Sequence, residues 1–147
     1  MHLYEKPCHK LTAVAIHKTL ANENYANIKT DIGWAKSVGA AVAIDNFGVG
    51  HSNFKPLLAL PIDYIKLDGF LINKVDVEYR HQVVVTSIIE LAHQLNVKVV
   101  AERVHSESIY NAVKKLGVDY VQGFYLSKPK ARPDRINSLI QELESKF

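Results

Sequence analysis

Four short apolar runs in this chain end in the same way, and this recurrence constrains the fold more than any other feature. The first is Ala43-Ile44-Asp45-Asn46, which opens into the glycine-bearing loop Phe47-Gly48-Val49-Gly50-His51-Ser52. The others are Tyr64-Ile65-Lys66-Leu67-Asp68, Val99-Val100-Ala101-Glu102 and Asp119-Tyr120-Val121-Gln122-Gly123. Each reads as a strand with a polar residue near its C-terminal end. Four such ends point to one polar site at one end of a parallel sheet or barrel, because ligands in these folds bind there.

Between the runs the apolar period lengthens from two to between three and four. Strands are expected at 11–16, 40–45, 63–68, 97–102 and 118–122, and helices near 22–38, 52–59, 79–95, 106–116 and 133–146. The clearest helix is 79–95, where Val84, Ile88, Leu91 and Leu95 recur at helical spacing. Ser106 or Ser108 is placed to cap the next helix, and Pro133 fits the first turn of the last. Gly39 and Gly117 stand where helices should stop before a strand. Repeated βα units predict an α/β fold with a mainly parallel sheet and right-handed crossovers. Five units are too few for a closed eight-stranded barrel of about 250 residues. They suit an open sheet or the C-terminal part of a barrel.

A chain of 147 residues fits one domain, with no linker or internal repeat. Its 48% hydrophobic content supports a core, and 22% charged residues suit a solvated surface. A net charge of +3 is too small to argue for nucleic acid, and Lys128-Pro129-Lys130-Ala131-Arg132 reads as a solvated turn. No apolar run approaches the roughly 18 residues that span a bilayer. The start, Met1 to Pro7, lacks the features of a signal peptide. Cys8 is the only cysteine, so neither an internal disulfide nor a thiolate metal cluster is available. These features lead to the expectation of a cytoplasmic protein.

Alternation along strands puts Lys66 and Asp68 on one face, and likewise Ala41, Ala43 and Asp45. Asp45 and Asn46 offer oxygen donors suited to Mg²⁺ or Mn²⁺. Glu102 suits a further ligand or a base, and Lys66 a phosphate oxygen or an oriented water. Each residue alone has a plainer reading. Asp45-Asn46 is good turn sequence, Lys66 can snorkel from an edge strand, and Glu102-Arg103 can form a surface ion pair. Their co-occurrence at four strand ends favours a site. Gly48-Val49-Gly50 lacks the third glycine of a dinucleotide-binding fingerprint.

These residues resemble the EAL family, whose active members are cyclic di-GMP phosphodiesterases built on a TIM-like barrel. The family pattern Asp-Asp-Phe-Gly-x-Gly is matched by Asp45 to Gly50, and Leu-Pro-x-Asp-x-x-Lys-x-Asp by Leu60 to Asp68. Ala-Glu-Gly-Val-Glu appears as Ala101-Glu102-Arg103-Val104-His105. The last motif, Gln-Gly-aromatic-x-x-Ser/Ala-basic-Pro, appears as Gln122 to Pro129. The resemblance implies strands four to eight of such a barrel, in a single truncated domain over 1–147. Residues 1–10 then form a divergent N-terminal segment, 11–132 the matched βα units and 133–147 a C-terminal helix.

The departures bear on activity. The Glu-Ala-Leu tripeptide is absent, and so is the metal-binding Asn of an early strand. No Asp or Glu occurs from Lys6 to Asn22. Asn46 replaces an Asp, removing a charge that would balance metal. Arg103 replaces a Gly and His105 a Glu, the latter reading as an ordinary loop histidine. The resemblance implies ligand-binding positions at Asp45, Asn46, Lys66, Glu102 and Gln122, with Lys66 and Glu102 in the catalytic positions and Asp45 and Asn46 in the metal positions. Phe47, Phe54 and Tyr125 are the aromatic groups near the strand ends for a guanine. The expectation is a degenerate module of cyclic di-GMP signalling that binds nucleotide or protein without turnover. Mg²⁺ or Mn²⁺ is then weakly held or absent, and a protein partner or homodimer is expected, with neither nucleic acid nor membrane. The alternatives are an active phosphodiesterase and a truncated remnant without a function of its own.

Overall fold

A computed structural model describes residues 13–16, 25–49 and 54–126. The expected helix at 133–146, the Pro133 cap, the basic turn at 128–132 and the N-terminal segment lie outside these residues. In chain order the elements are β1 (Ala13–Ile16), α1 (Tyr25–Ser37), β2 (Ala41–Phe47), α2 (Phe54–Ala59), β3 (Tyr64–Leu67), α3 (Gly69–Ile72), α4 (Tyr79–Gln94), β4 (Lys98–Ala101), α5 (Glu107–Leu116) and β5 (Tyr120–Val121).

The strands form one parallel sheet in the order β1-β2-β3-β4-β5. Each strand therefore lies beside its predecessor, with no reversal of direction across the sheet. A doubly wound sheet needs such a reversal, whereas a barrel does not. With right-handed crossovers throughout, the helices gather on one face. The fold is α/β, and its winding is that of part of a βα barrel.

Alternation sorts the side chains between the two faces. Val42, Ile44, Ile65, Leu67, Val99, Ala101 and Val121 point to the helices and are buried. They meet Ile28 and Ile32 of α1, Leu57 of α2, Val85 and Ile89 of α4, and Ile109 and Val113 of α5 in one cluster. The opposite face carries Tyr64, Lys98, Val100 and Tyr120, all half-buried or exposed. The Tyr64 and Tyr120 rings lie 5.8 Å apart, and Lys98 Nζ is 3.3 Å from the Tyr120 hydroxyl. This face is thus not a bare apolar wall. Ala43, on the same face, is 2% exposed.

Helix ends follow local chemistry. Ser106, not Ser108, caps α5 by accepting from Ile109 N at 3.3 Å, while the Ser108 hydroxyl donates to Asp76. Gly39 and Gly117 follow α1 and α5 with φ of 81° and 92°, a left-handed conformation that ends helices at little cost to glycine.

Two expectations need correction. The buried stripe of α4 is Val85, Ile88, Ile89 and Ala92, whereas Val84 is 45% and Leu95 40% exposed. The true stripe is rotated by about one residue, because the helix packs on both the sheet and α5 and buries a broader arc than a single spaced series. The short helix α3 was also not expected. It forms because Asp68 leaves the strand as an N-cap, its carboxylate accepting from Phe70 N at 2.7 Å. Asp68 is therefore not a further strand-end group beside Lys66.

Candidate functional site at the strand ends

Asp45 and Lys66 lie in β2 and β3, and Glu102 and Gln122 directly follow β4 and β5. Lys66 lies within β3, opposite Val100 of β4. Glu102 and Gln122 each come one residue beyond the Ala101–Val121 pair. In a parallel sheet these positions fall at one end.

β2 reaches its end through an irregularity. Its register with β3 shifts between Ile44 and Phe47, and Asn46 has a φ of 52°, a conformation asparagine tolerates better than most residues. The strand therefore runs on to Phe47 rather than turning at Asp45. The bulge re-aims the intervening side chains, a common device beside functional sites. Phe47 is 1% exposed and packs edge-on to Phe54 at 5.4 Å. It belongs to the core and cannot wall a ligand. Phe54 is 49% and Tyr125 42% exposed, and Tyr125 lies 5.6 Å from Tyr110.

The centre of the site is an ion-paired trio. Lys66 Nζ lies 2.6 Å from Glu102 Oε1 and 3.2 Å from Asp45 Oδ1. The three side chains keep only 22%, 13% and 20% of their surface for Lys66, Glu102 and Asp45. Asp45 Oδ1 also accepts from Asn46 N at 3.1 Å. Burial alone lowers the Lys66 pKa. The hydrogen bond and charge of Glu102, then those of Asp45, outweigh it and hold the ammonium above the ordinary lysine value. Gln122 is exposed and, among the described residues, makes no side-chain hydrogen bond to the trio. Its backbone carbonyl accepts from Val104 N at 3.1 Å, which ties the β4 and β5 ends together. His105 is exposed, its Nδ1 3.0 Å from the Arg103 carbonyl.

The strand-end pattern did not reveal that one lysine would hold both acids. The signal available was the placing of Asp45, Lys66 and Glu102 near the ends of three adjacent parallel strands. Nor did it show that Arg103 takes a left-handed backbone, with φ of 56°. Its place at a family glycine was the clue.

A partly wound βα barrel with a polar cluster at the C-terminal end of its strands is the class that this geometry defines. The chain belongs to the EAL domain family, whose model matches residues 6–129. It is 36% identical over 108 residues to the cyclic di-GMP phosphodiesterase PdeA of Borreliella burgdorferi, covering 74% of this chain and 16% of that protein. The chain thus spans about a sixth of that relative's length. Among solved structures, the EAL domain of Mycobacterium smegmatis DcpA superposes with a TM-score of 0.76 at 29% identity, over 91% of this chain and 58% of that one. A manganese and cyclic di-GMP complex of Klebsiella pneumoniae BlrP1 gives 0.68 at 25% identity, over 76% and 29%. Among the described residues no helix is long and apolar enough to cross a membrane.

Proposed function

We propose that this chain is a cytoplasmic, non-catalytic module that binds cyclic di-GMP at the C-terminal end of its sheet and works through a second copy or a protein partner. The observation that carries this reading is Lys66, whose ammonium sits between the two carboxylates that a divalent ion would need. Holding two divalent ions takes several carboxylates, one of them placed to assist an activated water. Among the described residues, no three of His, Cys, Asp and Glu group closely enough to hold a metal. Asp45 and Asn46 together supply one carboxylate and one amide, and Lys66 already pairs with both Asp45 and Glu102. These residues do not fit a two-metal centre. They suit a ligand site in which Lys66, Glu102 and Gln122 contact a bound nucleotide rather than turn it over.

Calorimetry with cyclic di-GMP, with and without Mg²⁺, tests the reading. Binding of equal strength in both is expected. Time-resolved chromatography with excess Mn²⁺ is expected to show intact nucleotide. Turnover above about 0.01 per second, already far below the enzymatic range, overturns the non-catalytic part.

A second reading, an active phosphodiesterase, is favoured by the named activity of the Borreliella relative and by the manganese in the Klebsiella complex. It requires acidic ligands from another chain or segment, and the Mn²⁺ assay separates it from the first.

A further inference from the structure

Arg103 stands where the family pattern has glycine, and it adopts the backbone that glycine favours. Its φ is 56°, a conformation in which any Cβ crowds the following carbonyl. Among the described residues, two other non-glycine residues share it. Asn96 lies just past the end of α4, where asparagine is a common helix stop, and Asn46 lies in the β2 bulge. Arginine has no short polar side chain to favour this conformation locally. Strain of this kind persists where something else specifies it, and functional sites are where it concentrates.

The side chain is held along its length. A Cβ built on Gly69 would come within 2.6 Å of Arg103 Cδ, 3.2 Å of its Cβ and 3.3 Å of its Cγ. The arginine stem therefore lies flat across the Gly69 backbone at the start of α3, and only a glycine leaves room for it. The loop beyond is fixed too, since Val104 N donates to Gln122 O and Tyr125 N to Val104 O, both at 3.1 Å. Arg103 thus sits on a braced rim between the β3 and β5 ends, and it is exposed.

Among the described residues the Arg103 guanidinium makes no ion pair or side-chain hydrogen bond. The adjacent Glu102 pairs with Lys66, and the Asp68 carboxylate accepts from Phe70 N. The trio of Asp45, Lys66 and Glu102 keeps a net negative charge, so an anion at this end of the sheet needs a further cation. A guanidinium offers a planar fork of donors matched to phosphate oxygens.

We propose that Arg103 is the anion-binding residue of this site, its guanidinium donating to the non-bridging oxygens of a phosphodiester. This rests on the reading of the site as a metal-independent binding site for a cyclic dinucleotide. Arg103 takes over the charge neutralisation that a divalent ion gives where several acids hold one.

The test is calorimetry with cyclic di-GMP in EDTA on the wild-type chain, Arg103→Gly, Arg103→Gln and Arg103→Lys, with thermal unfolding of each. The glycine variant relieves the left-handed strain, so its Tm should hold or rise while its affinity falls roughly tenfold or more. The lysine variant should recover part of the affinity, because it keeps the charge but loses the fork. The glutamine variant should match the glycine one in weakened binding, and it decides the matter if Arg103→Gly folds poorly. Wild-type binding with unchanged affinity in Arg103→Gly and Arg103→Gln overturns the role of Arg103 and leaves the binding module standing. Absence of wild-type binding overturns both.

Discussion

At the scale of single residues, Lys66 decides what the strand ends can do. Removing its ammonium leaves Asp45 and Glu102 largely buried, with no cation between them. Two such carboxylates repel one another and attract a divalent ion. Lys66→Ala should therefore weaken metal-free binding of cyclic di-GMP by about 1–3 kcal/mol, through loss of a charged hydrogen bond. The same variant should gain thermal stability on addition of Mn²⁺, whereas the wild type should not. A wild-type chain whose Tm rises with Mn²⁺ as much as the variant's would show that Lys66 yields its place to metal. The pH dependence has a definite sign. The folded Lys66 pKa lies above the unfolded value of about 10.5, so the stability from its ion pairs is full below that value. It is lost only as pH rises through the higher, folded pKa. The Tm gap between wild type and Lys66→Met should shrink above about pH 10.5, with lysine ionisation as the cause.

At the scale of elements, the opposite end of the sheet contains a repeated clasp. Asp63, just before β3, accepts from Val42 N at 2.8 Å and pairs with Lys36 at 2.9 Å. Asp119, just before β5, accepts from Val99 N at 2.8 Å and pairs with His93 at 2.8 Å. In both cases the carboxylate caps the preceding strand and grips the last turn of the helix that runs antiparallel to it. Asp63→Ala and Asp119→Ala each leave a strand amide without its partner, so each should cost about 1–3 kcal/mol in urea unfolding. Amide exchange at Val42 and at Val99 would report each loss locally. The α4 stripe gives a second check. Ile89→Ala should cost about 2–5 kcal/mol, and Val84→Ala should stay within about 0.5 kcal/mol. Equal costs would mean that the helix is rotated from the packing described.

At the scale of the whole molecule, the described helices share one core cluster with one face of a sheet that winds in one direction. Among the described residues, β1 and β5 have one neighbouring strand each. Parallel sheets are stable when both faces are covered, and an edge strand reading Ala-Val-Ala-Ile lacks the charges that discourage pairing. The polar tips of Tyr64, Lys98 and Tyr120 lessen the penalty of an open face without removing it. We expect association at micromolar concentration, by joined edges or stacked open faces, with a two-fold arrangement as the simplest closed solution. Light scattering should give a mass at least double the chain's 16.5 kDa. A monomer with cooperative unfolding would mean that the sheet closes its own core.

Much of this architecture was legible in the order of residues. The change between strand and helix periods placed β2 to β5 and α4 and α5 to within a few residues. Parallel βα units bring strand C-termini to one end, so the polar ends of β2 to β5 share an end of the sheet by topology alone. Local rules also located the stops at Gly39 and Gly117. Tertiary structure decided what depends on register and packing between distant segments. The bulge at Asn46 turned Phe47 into the core, and the alignment of β3 with both β2 and β4 put Lys66 within reach of two acids. Contact with both the sheet and α5 rotated the buried stripe of α4. The room above Gly69 let Arg103 lie across it with a left-handed backbone. Periodicity reports which face a residue occupies, because it follows from the local dihedral angles. It carries no information on the distance between residues that meet only when separate strands align.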